Sequence, residues 1–160
     1  MIEIRRSPVT AYIGLGANLG DARGAVQTAL DALGKLPGSR VAAASPLYRS
    51  APIDASGPDY VNAAAALETR LSAPDLLAAL HAIEDVAGRQ RPYRNAPRTL
   101  DLDLLLYGDA RIQSARLTVP HPRLRERAFA LRPLADIAPG LVAPQDLARV
   151  AGQPIERLSR

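Results

Sequence analysis

Two aspartates separated by one residue, Asp101 and Asp103, stand inside an apolar run that extends from Leu100 to Tyr107. A carboxylate in a segment that otherwise favours burial is costly unless something pairs with it. In an extended strand, residues two apart point the same way and lie roughly 7 Å apart. Asp101 and Asp103 therefore share one face, with Leu102, Leu104 and Leu106 on the other, and Leu105 and Tyr107 continue the aspartate face with apolar character. Two parallel carboxylates at that spacing suit a divalent cation. Mg2+ takes one or two carboxylates and completes its shell with water and phosphate oxygens. Pro97 and Arg98 stand directly ahead of the pair, and Arg89, Arg91, Arg94 and Arg98 crowd the approach to it. Guanidinium forks bind phosphate bidentately. The pattern points to metal-assisted handling of a phosphorylated substrate.

A second arginine cluster, Arg116, Arg123, Arg125 and Arg127, surrounds His121, whose backbone is confined by Pro120 and Pro122. Tyr60 and Asn62 share one face of another extended segment: a ring able to stack on a heterocycle and an amide able to read its edge. Gly14, Gly16 and Gly20 follow a strand and precede a helix. Their spacing is one residue longer than the dinucleotide fingerprint, and no acidic residue ends the next strand, so they read as a tight turn braced by Asn18. Gly-Lys-Ser/Thr occurs nowhere, so any triphosphate must be held by arginines and metal. Glu84, late in a helix, and His81 in its middle read as ordinary helical residues when taken alone.

The elements that must position these groups follow from periodicity. Residues 9–15 read as a strand, and Asp21 caps a helix running to about Leu36, closed by Pro37-Gly38. A second strand is expected from about Arg40 to Arg49, a loop from Ala51 to Pro58, and a third strand from Tyr60 to Thr69. Ser72-Ala73-Pro74-Asp75 opens a helix carrying Leu76, Leu77, Leu80 and Ile83 to about Gly88. A polar, arginine-rich loop covers residues 89–98, and the aspartate strand runs from Leu100 to Tyr107. A short strand near Arg111 and Ile112, an extended crossing from Leu117 to Pro122, a helix marked by Leu124, Ala128 and Leu131 and stopped at Pro133, and a short helix near residues 145–151 complete the chain. With no internal repeat or linker, the expectation is a single α+β domain over residues 1–160.

Composition narrows the class. The chain is 160 residues long and 48% hydrophobic, with no apolar stretch approaching the roughly 18 residues of a membrane span. The absence of cysteine excludes a disulfide framework and a thiolate metal site. The segment Met1 to Arg6 lacks the apolar core of a secretory signal, and the expected location is cytoplasmic. The net charge of +4 is carried by arginine, with Lys35 the only lysine. A basic nucleic-acid-binding domain is one alternative, but such domains stack bases on sheet aromatics, and here two acids occupy the key strand. Another Mg2+-dependent phosphotransferase using the same two aspartates is a second alternative.

Taken together, the residues resemble the 6-hydroxymethyl-7,8-dihydropterin pyrophosphokinases of folate biosynthesis, over nearly the whole chain. The likeness is carried by Gly16-Ala-Asn18-Leu, Leu47-Tyr-Arg49-Ser-Ala-Pro52, Asp59-Tyr60-Val-Asn62, Ile83-Glu84 with Gly88-Arg89, Arg94-Asn-Ala-Pro-Arg98-Thr-Leu-Asp101-Leu-Asp103, and Val119-Pro-His121-Pro-Arg with Arg127-Ala-Phe129. The resemblance implies a ferredoxin-like α+β fold, an antiparallel sheet flanked by helices. It implies transfer of a diphosphoryl group from ATP to the pterin hydroxymethyl oxygen, with AMP leaving. By position, Asp101 and Asp103 would hold two Mg2+ ions that arrive with ATP. Tyr60 and Phe129, the only phenylalanine, would sandwich the pterin, with Asn62, Asp101 and Ser50, Ala51, Pro52 and Ile53 around its edge. Leu77, Glu84, Arg91, Leu104, Arg116, Thr118, His121 and Arg127 fall where the family binds ATP. Arg89 and Arg98 fall on the loop that closes over the phosphates and, with Asp101, would be catalytic. That loop often carries a tryptophan in relatives; here Asn95 stands near that place, and the loop is slightly shorter. The expected partners are ATP and the pterin, with no nucleic acid or membrane, and the expected state is a monomer.

Overall fold

The computed structural model describes residues 6–52, 57–88 and 100–159. Their elements run β1 (Val9–Ala17), α1 (Ala22–Gly34), β2 (Ser39–Ala44), β3 (Tyr48–Ser50), β4 (Tyr60–Thr69), α2 (Ala73–Gly88), β5 (Asp101–Tyr107), β6 (Ile112–Gln113), β7 (Thr118–Val119), α3 (Ala128–Ile137), α4 (Pro144–Arg149) and β8 (Ile155–Arg157). The main sheet is antiparallel with order β5-β1-β4-β3-β8, and β2 pairs with β4 beside β3. The first two strand–helix units thus give a ferredoxin-like α+β arrangement, to which the C-terminal segment adds β8 and the helices α3 and α4.

The caps form where the sequence places them. Asp21 accepts from Gly24 N–H at the start of α1 (3.0 Å), and the Ser72 hydroxyl accepts from Asp75 N–H at the start of α2 (3.2 Å). Val26, Ala29 and Leu33 of α1 and Leu76 and Leu80 of α2 bury one sheet face with Ile13, Leu15, Ala65, Leu67, Leu102 and Leu104. The opposite face carries α3, where Leu131 and Leu134 pack with Leu105, Leu124 and Val150. β4 lies between the two layers, which explains its alanine run. Ala63 and Ala65 face α1 and α2, and small Ala64 and Ala66 face the other way, where α3 packs on β4.

Four expectations need correction. The strand expected from Arg40 to Arg49 is two strands, because Pro46 has no N–H to donate to a ladder. Ser45 holds the break to β4: its N–H donates to Ala64 O and its hydroxyl accepts from Ala64 N–H (2.9 Å). The helix expected to stop at Pro133 instead starts late. A 3₁₀ turn at Leu124–Glu126 gives way to α3, which contains Pro133. The proline costs one backbone bond, but it is buried between Leu131 and Leu134, whose packing holds the helix on both sides of it. The simple alternation of β5 also fails. Ile13 pairs with Leu104 and Tyr12 with Leu106, leaving Leu105 as the extra residue of a β-bulge. Leu105 and Leu106 therefore both lie on the α3 side, and Tyr107 joins Leu102 and Leu104 in the main core, its hydroxyl donating to Leu71 O. Finally, Gly14 and Gly16 are interior residues of β1 rather than turn residues; only Gly20 has a positive φ (59°) there. Asn18 donates to Pro58 O (3.4 Å), tying the segment after β1 to the one before β4 rather than bracing its own turn.

Candidate active site

Strand register assembles the site on the α3 face, at the end of the sheet where β1 finishes and β4 and β5 begin. Asp101 pairs with Gly16, Gly16 with Asn62, and Asn62 with Tyr48, so one row crosses four strands. The next row sets Asp103 beside Gly14 and Gly14 beside Ala64. Adjacent strands are about 4.8 Å apart, so Asp101 and Asn62 stand on the order of 10 Å apart with a glycine between them. The absence of side chains at Gly14 and Gly16 leaves a floor between a carboxylate edge and an amide edge. A Cβ on Gly16 would lie 3.3 Å from Asn62 Oδ1, and one on Gly14 would lie 3.4 Å from Leu105 Cδ1.

Above this floor is a cavity of about 450 Å3, lined on its acidic side by Asp101, Asp103 and Leu105 and on its other side by Ser50, Ala51, Pro52, Tyr60 and Asn62. Arg127, Phe129 and Ala130 at the start of α3 close it. Asn62 is 2% exposed, and its Nδ2 donates to the Ser50 hydroxyl (2.7 Å). That bond commits the amide nitrogen and turns Oδ1 toward Gly16. The Arg127 guanidinium lies over the Phe129 ring, 5.4 Å from its centre, within cation–π range.

The bulge also positions His121. The extra residue Leu105 offers its carbonyl to His121 N–H (2.9 Å). The imidazole then sets Nε2 4.0 Å from Asp103 Oδ1, while Nδ1 accepts from Arg123 N–H (3.2 Å). With Nδ1 accepting, the neutral ring carries its proton on Nε2, toward the carboxylate. Burial pushes the His121 pKa below its ordinary range; Asp103 opposes this, and Arg127 and Arg123 reinforce it.

Other expected residues are dispersed around this core. Glu84 on α2 accepts from Leu102 N–H (2.8 Å), fastening the backbone between the two aspartates. Leu77 packs half-buried against the main core. The Leu104 side chain is buried in that core and so does not line the cavity. Arg116 is exposed beyond Gln113 in the β6–β7 hairpin, and Thr118 lies in β7. Arg89, Arg91, Arg98 and Ile53 lie outside the described residues, as does the place of Asn95. The cavity also uses Gly14 and Gly16, which the sequence reading placed in a turn, Leu105, which it placed beside the aspartates without a binding role, and Leu15 and Ala130, which it did not single out. The Gly-x-Gly spacing was the available signal, since glycine at alternate strand positions marks a face that something approaches closely.

Asp101 and Asp103 offer hard oxygen donors on one face of a strand, opening onto a cavity large enough for substrate. That set fits Mg2+, which leaves several positions to water and phosphate, better than a closed zinc site built wholly from protein ligands. Among the described residues no cluster of three or more His, Cys, Asp or Glu could hold a metal alone. No helix among them is long and apolar enough to cross a membrane.

The fold and this glycine-floored cavity, with two carboxylates on one strand face, define a ferredoxin-like α+β protein with a ligand cavity suited to a divalent cation, and comparison with known proteins shows its family. The family model of 7,8-dihydro-6-hydroxymethylpterin-pyrophosphokinase (HPPK) matches residues 12–139. The chain belongs to that family. It is 49% identical over 154 residues to the 2-amino-4-hydroxy-6-hydroxymethyldihydropteridine pyrophosphokinase of Pseudomonas aeruginosa, covering 92% of this chain and 95% of that one. The enzyme of the same name from Haemophilus influenzae is 45% identical over 137 residues, covering 85% of this chain and 86% of that one. A crystal structure of Plasmodium falciparum HPPK-DHPS with SDX-DHP superposes with a TM-score of 0.63 at 14% identity, a likeness of fold. It covers 82% of this chain, which spans 41% of that longer one.

Proposed function

We propose that this chain transfers the diphosphoryl group of ATP to the hydroxymethyl oxygen of 6-hydroxymethyl-7,8-dihydropterin, in folate biosynthesis, as a single pyrophosphokinase domain over residues 1–160. The observation that carries the reading is the register row Asp101–Gly16–Asn62, a floor with an acceptor at each end, in a cavity that Tyr60 and Phe129 also line. A planar heterocycle with an amino-pyrimidinone edge fits between those rings, its N–H groups meeting Asn62 Oδ1 and the backbone near Ser50 to Pro52. Its hydroxymethyl group is then directed toward Asp101.

The hydroxyl oxygen attacks the β-phosphorus of ATP, the bond from the α-phosphate bridge to that phosphorus breaks, AMP leaves, and the hydroxyl proton passes to solvent or Asp101. Such transfers ask a protein mainly for alignment and charge neutralisation. Asp101 and Asp103 would hold two Mg2+ ions, which when bound offset charge on the attacking and leaving oxygens. In this reading His121, Arg127, Arg116, Thr118, Glu84, Leu77 and the Leu104 backbone border the nucleotide. Arg91 belongs with them, while Arg89 and Arg98 act on the phosphates. The enzyme works as a cytoplasmic monomer and needs neither nucleic acid nor membrane.

The test is product identity. Purified protein incubated with ATP, Mg2+ and 6-hydroxymethyl-7,8-dihydropterin is expected to give AMP and the pterin diphosphate by mass spectrometry. ADP with a pterin monophosphate, or no pterin-dependent consumption of ATP, would overturn the reading.

A further inference from the structure

Phe129 and Arg127 close the cavity from a stretch of chain that has little local reason to be ordered. Arg127 is the single extended residue (φ −128°, ψ 114°) between the 3₁₀ turn and α3, and its side chain makes no capping bond. The first N–H groups of a helix need partners from outside it. Here one partner comes from far along the chain. Gln153, in the turn between α4 and β8, accepts from Ala128 N–H through Oε1 (2.9 Å) and donates through Nε2 to Glu126 O (2.8 Å). One carboxamide thereby grips the backbone on both sides of Arg127, and only one orientation of the amide satisfies both bonds. Its own N–H bonds to Val150 O (3.0 Å), at the end of α4. Asp146 of α4, 9% exposed, adds a second tie to the same stretch through Arg125 (3.7 Å).

We propose that Gln153 is a positioning residue: its two bonds fix the bend at Arg127 and so aim Arg127 and Phe129 into the substrate cavity. Ala128 is the residue between the two side chains, so displacing its N–H turns both. Gln153 and Pro154 also line a neighbouring cavity of about 480 Å3 that shares Phe129, Arg127 and Pro52 with the first, so the bend has open space into which to relax. This inference rests on the proposed function, in which Phe129 stacks on the pterin and Arg127 meets ATP.

The experiment is steady-state kinetics of Gln153→Met, which keeps the side-chain length and removes both bonds, and of Gln153→Glu, which keeps only the acceptor. Gln153→Met is expected to raise KM for pterin and for ATP about tenfold, and Gln153→Glu about threefold, the scale of one or two modest hydrogen bonds. A role in stability alone would lower Tm and the active fraction, hence kcat, and leave both KM values unchanged; that result overturns the proposal. If Gln153→Met does not fold, Gln153→Glu decides by the same criterion. Phe129→Ala separates the two layers of argument. An unchanged pterin KM in Phe129→Ala refutes the functional reading. A raised one, with wild-type KM values in the Gln153 variants, refutes the positioning role alone. In the double variant, Gln153→Met is expected to add little to the pterin KM already raised by Phe129→Ala.

Discussion

The two sides of the cavity are held in different ways. The floor and its edges, Asp101, Asp103, Gly16 and Asn62, sit on three neighbouring strands whose ladders fix them in rows. The closing wall, Arg127 and Phe129, sits at a bend between two kinds of helix and depends on a side chain 25 residues away. The sheet side is rigid by backbone pairing, as suits groups that must align charge to within fractions of an ångström. The wall is aimed by two hydrogen bonds and is the side that can yield when substrate enters. Substitutions at the acidic edge of the floor should therefore affect turnover most, and those at its amide edge or on the wall should affect binding most.

The largest effect tests the floor. Asp103→Asn keeps size and removes the charge that would hold the metal; turnover is expected to fall about a thousandfold. The Asp103 side chain is 44% exposed and serves no core contact, so Tm is expected to move by less than about 2 °C. Comparing kcat with the thermal transition checks both halves. Activity within tenfold of wild type would mean that Asp103 is not part of the chemistry and that the floor has no special standing.

Gly16→Ala sharpens the comparison from inside the floor. The new methyl would press on Asn62 Oδ1 at 3.3 Å, and Asn62 cannot turn away without losing its bond to Ser50. Pterin KM is expected to rise about tenfold, with ATP KM little changed, because the crowding falls on the pterin edge alone. A matching rise in ATP KM would show the floor shifting as a body rather than at one amide.

This division also explains what could be read from the chain. Asp101 and Asp103 were legible because a period of two is a local property of β-strands. β4 follows its expected limits from Tyr60 to Thr69 although its alanine run carries little strand propensity. Their surroundings were not. The bulge at Leu105 depends on how β5 meets β1, and no residue type in Leu104-Leu105-Leu106 announces it. Yet it moves Tyr107 to the core and frees the carbonyl that fastens His121. The split at Ser45-Pro46 had a local sign in the proline. Pro133 gave a local sign that misled, since burial of α3 outweighs a single lost bond. The strand β8 and the grip of Gln153 have no local signal, being consequences of where the C-terminal segment returns. Family resemblance supplied the roles proposed for Phe129 and Arg127, which spacing alone would not have separated from a surface helix.

The smallest expected effect separates holding the α3 helix from aiming its first turn. Tyr48, 4% exposed on β3, donates its hydroxyl to Asp136 near the far end of α3. Burial, then the bond to Asp136 and its charge, push the Tyr48 pKa above the ordinary 10.0. A raised pKa means that the folded state holds the phenolic proton more tightly than the unfolded chain. The stabilisation is therefore complete below about pH 10 and lost as pH rises through the folded-state value. Tyr48→Phe is expected to cost about 1.5 kcal/mol at neutral pH, or about 4 °C in Tm, with the deficit shrinking above pH 10. Thermal melts of both proteins across that range check the sign. Both KM values are expected to stay within about twofold of wild type, since the lost bond lies at the opposite end of the helix from Phe129. A KM shift as large as that of Gln153→Met would show that the helix moves as one rod, and that the tie at Gln153 only anchors it.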